Sequence, residues 1–350
     1  MHMADALLSP SVGAAFWAGT LAAIGHASRK LKETIDDRMV PLMGVLGAFI
    51  FASQMITFSI PGTGSSGHLG GGLLLAVLLG PSAAFLVMAS VLTVQAFFFA
   101  DGGLLALGCN IWNLGIYPCF IACPLIYRPL AGDGRDAKRS LLAALVSAVA
   151  GLQLGAFSVV LETLLSGKAE LPFAPFALLM LPIHLAIGVV EGFVTAGVVS
   201  YVRSVRPELL EHTALMRPLP RRLPVGKLLT VFAVLAVVIG GGLTWFASTH
   251  PDGLEWAVER VTGKRALPEQ EQGVAGALKG VQETTSILPD YGFRKRQQEG
   301  NLRTDEPGSE PGGGAGTPVA GIVGAAIVLV ISVAVGIGIR LLRRSRRQVL

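Results

Sequence analysis

Long apolar segments separated by short polar joints dominate this chain of 350 residues. A helix satisfies its own backbone hydrogen bonds, and about 20 apolar residues are enough to cross a bilayer. The pattern therefore predicts an all-α, polytopic transmembrane helical bundle. Its nine predicted spans lie at about 11–28, 41–58, 70–81, 83–99, 104–127, 140–165, 175–202, 228–248 and 318–340. The third is short and is separated from the fourth by Gly80-Pro81-Ser82, so one of the two is a candidate for a partly re-entrant segment.

Composition supports the same class. The chain is 52% hydrophobic and only 15% charged, and its mean hydropathy is +0.61, whereas soluble domains carry about 25% charged residues. Cys109, Cys119 and Cys123 share one apolar segment, and an odd number of cysteines cannot pair completely, so we interpret them as buried apolar residues. The opening MHMADALLSP lacks the features of a signal peptide and is expected to remain in the mature chain.

The basic residues predict the orientation of the spans, because lysine and arginine accumulate in short cytoplasmic loops. The segments 29–40, 128–139 and 203–227 and the tail from Arg340 are rich in these residues, whereas the alternate short loops contain only Lys168. The N-terminus is therefore expected outside and the C-terminus in the cytoplasm. The basic loops follow this rule and imply no nucleic-acid partner.

Two parts are expected along the chain: a seven-helix block at 1–205 and, after a basic linker at 206–227, a separate two-helix hairpin at 228–350. The hairpin carries a large outer loop, 249–317, which ends in a flexible GSEPGGGAG stretch. In HPDGLEWAVERVTG, which begins this loop, Leu254, Ala257 and Val261 have helical spacing and predict a short amphipathic helix.

Enzymatic motifs do not occur in the sequence, which contains no phosphate-binding GxxxxGK[ST], no HExxH and no GxSxG. The glycine-rich GTGSSGHLGGG at 62–72 lacks the lysine of a phosphate cradle, and its one distinctive side chain is His68. We therefore expect neither an enzyme nor an ATPase.

Met1-His2 offers a different chemistry, because a free α-amine followed by histidine places three nitrogens in series: the amine, the His2 backbone nitrogen and its imidazole. His68 would complete a nearly planar set of four nitrogens, which suits Ni(II) or Cu(II), with Co(II) as a further candidate. A solvated loop histidine is the commoner case, so these residues alone do not decide the function.

Several polar residues lie within the predicted spans and should face inward, because exposure to lipid is costly. They are Asn110 and Asn113 in the fifth span and His184 and Glu191 in the seventh. His184 and Glu191 share a helix face, so they either bond to neighbouring helices or line a path behind the metal. Gln54, Gln95 and Gln153 receive a structural interpretation. Asp101 is either an acceptor that orients His68 or a helix cap.

Three stretches carry a resemblance to a known family: MHMADALLSP, VPLMGVLGAFIFASQMITFSIPGTGSSGHLGGGLLLAVLLGP and FFADGGLLALGCNIWNLG. Over about residues 1–205 the chain resembles the cobalt/nickel substrate-specificity component of energy-coupling factor transporters. From 228 onward, the hairpin with PDGLE at 251–255 resembles the small companion component of these systems, here fused in one chain.

The resemblance implies that Met1 binds the metal through its amine, His2 through backbone and imidazole nitrogens, and His68 through its ring, with the N-terminal stretch plugged between the helices. It also implies a multi-pass location in the cell (inner) membrane, a transmembrane coupling subunit and cytoplasmic ATPase subunits as partners. The only metal expected is the transported Co²⁺ or Ni²⁺, with no permanently bound cofactor.

The choice of metal stays open at this level. Planar nitrogen coordination favours nickel, whereas several members of the family supply cobalt for cobalamin synthesis, and our expectation leans slightly to cobalt. A membrane metal sensor or scaffold that binds without transporting is the principal rival, and a membrane enzyme is a weaker one.

Overall fold

The computed structural model describes residues 1–134, 136–168, 171–215, 224–264, 267, 273–293 and 315–347. Within these ranges lie twelve helices, one antiparallel hairpin and three short 3₁₀ turns. The helices are α1 Pro10–Thr34, α2 Met39–Gln54, α3 Gly72–Leu79, α4 Pro81–Phe99, α5 Leu107–Ala131, α6 Ala137–Ser166, α7 Phe173–Val205, α8 Pro207–Leu215, α9 Gly226–Gly241, α10 Gly253–Thr262, α11 Gly273–Thr285 and α12 Gly316–Arg347. The hairpin pairs β1 Phe58–Ile60 with β2 Ser65–Gly67.

Each predicted span corresponds to a helix, and the all-α class is confirmed. By length and composition, α4, α5, α6, α7 and α12 are able to cross a membrane, whereas α2 and α9 are shorter apolar helices. The predicted span at 228–248 is too long, because α9 ends at Gly241 and a 3₁₀ turn follows. The third span contains only the eight residues of α3, since Gly80 at φ 79° and Pro81 end it and begin α4.

Local sequence explains where the longer helices begin and how one of them is wound. Ser9 caps α1 by accepting a hydrogen bond from the backbone N–H of Val12, and Pro10 fits the first turn. In α5, the middle part Trp112–Tyr127 is wound as a π-helix and contains Pro118 and Pro124. Both prolines lack a backbone N–H, which favours this wider winding over a regular α-helix.

Helix α4 forms the centre of the bundle, since 83% of its most apolar 18-residue stretch is buried. The corresponding share is 39% for α7 and 33% for α12. The hairpin of α9 and α12 packs on α2. Glycines permit this close contact: a Cβ on Gly44 would lie 2.5 Å from Val333. Where α9 and α12 cross, Gly240 and Gly321 bring the two backbones into contact.

The connections gather at two ends of the bundle. The N-terminal residues, the β-hairpin, the loop after α4, and helices α10 and α11 meet at one end. At the other end, Arg340 pairs with Asp37 and Arg343 bonds the carbonyl of Ile35. The first residues and the end of α12 thus lie at opposite ends of the bundle. The linker residues 216–223 and most of GSEPGGGAG fall outside the described residues.

Candidate metal centre

The first residues fold back into the bundle, where Met1 and Met3 are buried and His2 is half-buried. Met1 is 5% exposed and Met3 is fully buried. Asn110 holds the Met3 backbone by accepting from its N–H at 2.8 Å, and the Gly103 N–H donates to the Met3 carbonyl at 2.9 Å. Gly103 has to be a glycine at this crossing, because a Cβ there would lie 1.8 Å from a carboxylate oxygen of Asp5.

This placement brings His2 against His68, which follows β2. The two ring centroids are 5.1 Å apart and the rings are inclined by only 23°, so the imidazoles are stacked side by side. His68 Nδ1 donates to the carbonyl of Leu69 at 3.0 Å, because a carbonyl can only accept. Its lone pair is therefore on Nε2, where a metal ion can bind it.

Burial keeps both imidazoles neutral at physiological pH. Desolvation, helped by the nearby ammonium of Met1, lowers the pKa of His2 to about 3 and that of His68 to about 4. Neutral imidazole is the form that coordinates a metal. Among the described residues, no three His, Cys, Asp or Glu side chains converge as in a conventional metal site.

The outer loop of the C-terminal hairpin, residues 249–317, is called the companion loop below. Its PDGLE segment lies beside His68 and the N-terminal residues. Ser66 of β2 donates its backbone N–H to the carbonyl of Pro251 at 2.8 Å, and Asp252 forms a parallel bridge with Ser66. This strand-like contact places Asp252 Oδ2 3.3 Å from the α-amine of Met1. Burial acts to raise the pKa of Asp252, but the Met1 ammonium and the Glu255 N–H outweigh it, so the pKa lies well below its usual range.

Asp252 also starts helix α10. Its side chain accepts from the Glu255 N–H at 2.8 Å, and Glu255 reaches back to the Asp252 N–H, which completes a capping box. Burial and the neighbouring charge of Asp252 raise the pKa of Glu255 to about 7. The predicted amphipathic helix is confirmed, and it buries Leu254 and Ala257 against α7 and β2.

Asp101 contacts His2, whereas the sequence suggested an acceptor for His68. Its Oδ1 is 3.5 Å from His2 Nδ1, and Tyr291 donates its hydroxyl to Oδ2. Burial raises the pKa of Asp101. Gln282 of α11 donates hydrogen bonds to the carbonyls of Ala96 and Gly102. The companion loop is therefore also bonded to the turn that contains Asp101.

The polar residues within the spans divide into two groups. Asn110 holds the N-terminal segment, as described above, and His184 lines a small cavity together with Met1, His68 and Asp252. Glu191 accepts from the Gly70 N–H at 2.7 Å and thereby holds the loop that carries His68. Asn113 instead donates to Glu162 of α6 at 2.9 Å. The three cysteines are buried and free, as predicted.

A cavity of about 560 Å³ opens beside the candidate ligands. His2, His68, Asp101, Asp252, Glu255 and Tyr291 are among the residues that line it. It therefore lies between the N-terminal segment and the companion loop, and both contribute to its wall.

The sequence did not indicate that four residues lie at the candidate metal centre. They are Asp252, Tyr291 and the glutamines Gln54 and Gln95. The two glutamines are 5% and 1% exposed, and their position at the ends of apolar helices was the available signal. For Asp252 the signal was the Asp-Gly-Leu-Glu spacing of a capping box, which marks a helix start but does not reveal what lies beside it. No local pattern indicated Tyr291.

Comparisons with known proteins agree with this architecture. The family described as "Cobalt uptake substrate-specific transmembrane region" matches residues 2–209, and the PDGLE domain matches residues 226–341. A fused nickel transport protein NikMN from Rhodobacter capsulatus is 32% identical over 83% of this chain and 88% of its own length. A relative from Archaeoglobus fulgidus, provisionally given the same name, is 34% identical over 95% of this chain and 97% of its own length.

A cobalt transport protein from Sorangium cellulosum is 31% identical over 63% of this chain and 99% of its own length. A crystal structure of a transition metal transporter is 32% identical, with a TM-score of 0.51, and covers 62% of this chain and 100% of that chain. This chain therefore belongs to the family of cobalt uptake substrate-specific transmembrane proteins, joined in one polypeptide to a PDGLE domain.

Proposed function

We propose that this chain is the substrate-binding membrane subunit of an importer for a divalent transition metal ion, and that Met1, His2 and His68 are the ligands. The observation that carries the proposal is the insertion of buried Met1 and half-buried His2 into the bundle beside His68. Burying the N-terminus next to two imidazoles costs desolvation free energy. Metal coordination would explain why these polar groups are placed there.

The chemistry of these donors defines the ion. The amine, the His2 backbone nitrogen and the His2 imidazole form two adjacent chelate rings, and His68 Nε2 supplies a fourth nitrogen. Binding displaces the amine and amide protons, so the affinity should fall as the pH falls. A donor set of four nearly coplanar nitrogens suits Ni(II) and Cu(II) better than the hard oxygen-preferring cations.

We infer that nickel is the principal substrate and cobalt the alternative. The sequence alone leaned slightly to cobalt, whereas two considerations now favour nickel. Planar nitrogen coordination suits Ni(II), and the two fused relatives that span most of this chain are described as nickel transport proteins. Metal analysis of the purified chain distinguishes the two ions.

Transport requires energy that the described residues do not supply. In our proposal a transmembrane coupling subunit and a pair of cytoplasmic ATPases reorient the seven-helix part, so that a site loaded from outside opens inward. The chain lies in the cell (inner) membrane with its N-terminus outside. The companion loop covers the site from the same end, and Asp252 gives it direct contact with the Met1 amine.

Uptake of labelled nickel tests the proposal in cells that produce the chain together with its coupling partners. We expect uptake above that of cells without the chain, and its loss in His68→Ala. His26→Ala is the matched control, because His26 is an exposed histidine of α1 outside the candidate site. Nickel binding without any uptake would support the sensor or scaffold, and equal uptake by wild type and His68→Ala would refute the site.

A further inference from the structure

We propose that Gln54 and Gln95 are positioning residues of the metal centre, which orient the His2 ring and keep its proton on Nε2. They do so through a chain of hydrogen bonds that begins at the backbone of Gly70. The inference rests on the proposed function, because it assumes that His2 is a metal ligand.

The chain of hydrogen bonds is continuous and buried. Gln54 Nε2 donates to the Gly70 carbonyl at 2.8 Å, and Gln95 Nε2 donates to Gln54 Oε1 at 2.9 Å. Gln95 Oε1 then lies 3.2 Å from Nε2 of His2. Both glutamines are nearly inaccessible to solvent, so water cannot readily replace the bonds that join Gly70, Gln54 and Gln95, and leaving one of them unmade would be costly.

The direction of every bond follows from its fixed end. The Gly70 carbonyl can only accept, so Gln54 must present its NH₂ group to Gly70 and its oxygen to Gln95. Gln95 must then present its own NH₂ group to Gln54 and its oxygen to His2. An amide oxygen can only accept, and Gln95 Oε1 lies closer to Nε2, at 3.2 Å, than Asp101 Oδ1 lies to Nδ1, at 3.5 Å. The proton of the neutral His2 ring is therefore assigned to Nε2.

This proton position leaves the lone pair on Nδ1, which is the nitrogen that chelation needs. A metal bound to the His2 backbone nitrogen closes a six-membered ring through Cα, Cβ, Cγ and Nδ1, whereas Nε2 points away from that ring. Donation from the distal N–H to an acceptor also fixes the ring orientation and makes the ligand nitrogen more basic. The two glutamines thus orient the His2 ring and leave Nδ1 free to coordinate the metal.

The fixed end of the chain is itself anchored in the bundle. Glu191 of α7 accepts from the N–H of Gly70 at 2.7 Å, so the peptide group before Gly70 and the one after it are both held. Gly70 follows His68 by two positions. One set of bonds therefore sets the loop that carries His68 and the ring of His2, which the two ligands need in order to meet at one ion.

Gln153 provides a matched comparison within the same protein. It also lies in a membrane helix and donates to a backbone carbonyl, that of Leu181, at 2.7 Å. Its bond links α6 to α7 without passing through Gln95 or His2. A general need for glutamine in the spans predicts equal effects at Gln153 and Gln95, whereas positioning of His2 predicts an effect at Gln95.

The test is nickel titration of the purified, metal-free full-length chain in detergent, with affinity and the visible ligand-field band of bound Ni²⁺ as readouts. Gln95→Met, which keeps the volume but removes the acceptor, is expected to weaken binding by about 10–100-fold and to shift the band. Gln54→Met is expected to have a smaller effect in the same direction. Gln95→Glu keeps an acceptor for His2 but loses the donor to Gln54, so it should lose about as much affinity as Gln54→Met and less than Gln95→Met.

Gln153→Met should leave the affinity and the band unchanged. Wild-type affinity in Gln95→Met would overturn the proposal, and so would equal losses in Gln95→Met and Gln153→Met. If Gln95→Met also lowers the melting temperature of the metal-free protein, Gln95→Glu decides: a loss no larger than that of Gln54→Met supports positioning, and a loss as large as that of Gln95→Met refutes it. His68→Ala separates the two proposals, because unchanged binding in that variant would refute the metal centre itself.

Discussion

The α-amine of Met1 lies 3.3 Å from Oδ2 of Asp252, so the first residue of the chain forms an ion pair with a residue of the companion loop. In the metal-free protein this pair holds the N-terminus in place beside the companion loop. A metal ion binds the lone pair of the amine nitrogen in place of a proton. The Asp252 carboxylate can then accept a hydrogen bond from the coordinated amine. Asp252 is thus placed to act before and after the metal binds.

Asp252→Asn tests this role without removing the helix cap, because asparagine caps helices about as well as aspartate. Loss of the negative charge beside the amine is expected to weaken nickel binding by about tenfold, equivalent to about 1.4 kcal/mol. Titration of the purified chain measures the effect. Glu33→Gln removes one carboxylate from an exposed position of α1 and should bind like wild type; an equal loss in both variants would indicate only a change in overall charge.

Gly253→Ala should displace the loop that carries Asp252. A Cβ at Gly253 would lie 2.6 Å from a side-chain carbon of Ile183, so α10 could no longer seat against α7. Overpacking of this kind costs about 1–3 kcal/mol. We expect reduced nickel uptake by cells that contain the coupling partners.

Gly280→Ala is the control for that experiment, because Gly280 also lies in a helix of the companion loop and a Cβ there meets nothing within 4 Å. Alanine favours a helix over glycine, so this variant should transport normally. Normal transport by Gly253→Ala as well would show that the seat of α10 is unimportant for uptake.

Acidification should destabilise the metal-free protein between about pH 6.5 and pH 4. Burial and the Met1 ammonium lower the pKa of His68 to about 4 and that of His2 to about 3, against about 6.5 in an unfolded chain. The unfolded state therefore binds protons in this window that the folded state does not, and the free energy of unfolding falls as the pH falls. For His68 the loss at pH 5 is on the order of 1–2 kcal/mol.

Thermal unfolding at pH 7 and pH 5 measures this effect. His68→Ala should lose less stability on acidification than wild type, whereas His26→Ala should lose as much. An identical shift in wild type and His68→Ala would show that His68 is not held neutral by burial.

The helices were largely predictable because apolar length is a local property of the sequence. The spans at 137–166 and 173–205 were anticipated within a few residues for that reason. Association of the α9 and α12 hairpin with α2 was not, since it depends on surfaces that meet across the chain, such as Gly44 against Val333. Glycine content suggested close packing but not which helices would pack.

In the candidate site, too, features with a local sequence signal were predictable and contacts between distant residues were not. Met1, His2 and His68 were identified from the chemistry of an N-terminal Met-His together with a family resemblance, and the structure brings His2 and His68 together. The hydrogen bonds from Gln95 to His2 and from Tyr291 to Asp101 join residues that are far apart in sequence. Such pairs carry no local signal, so only the folded structure reveals them.

The most direct test of the account is nickel binding by the purified chain with one additional residue placed before Met1, after intact-mass analysis has confirmed the N-terminus of both forms. The extra residue moves the α-amine out of the chelate while His2 and His68 remain. The account predicts loss of high-affinity binding and of the planar Ni²⁺ absorption band. Unchanged affinity and an unchanged band would contradict it, because the amine of Met1 would then not be a ligand.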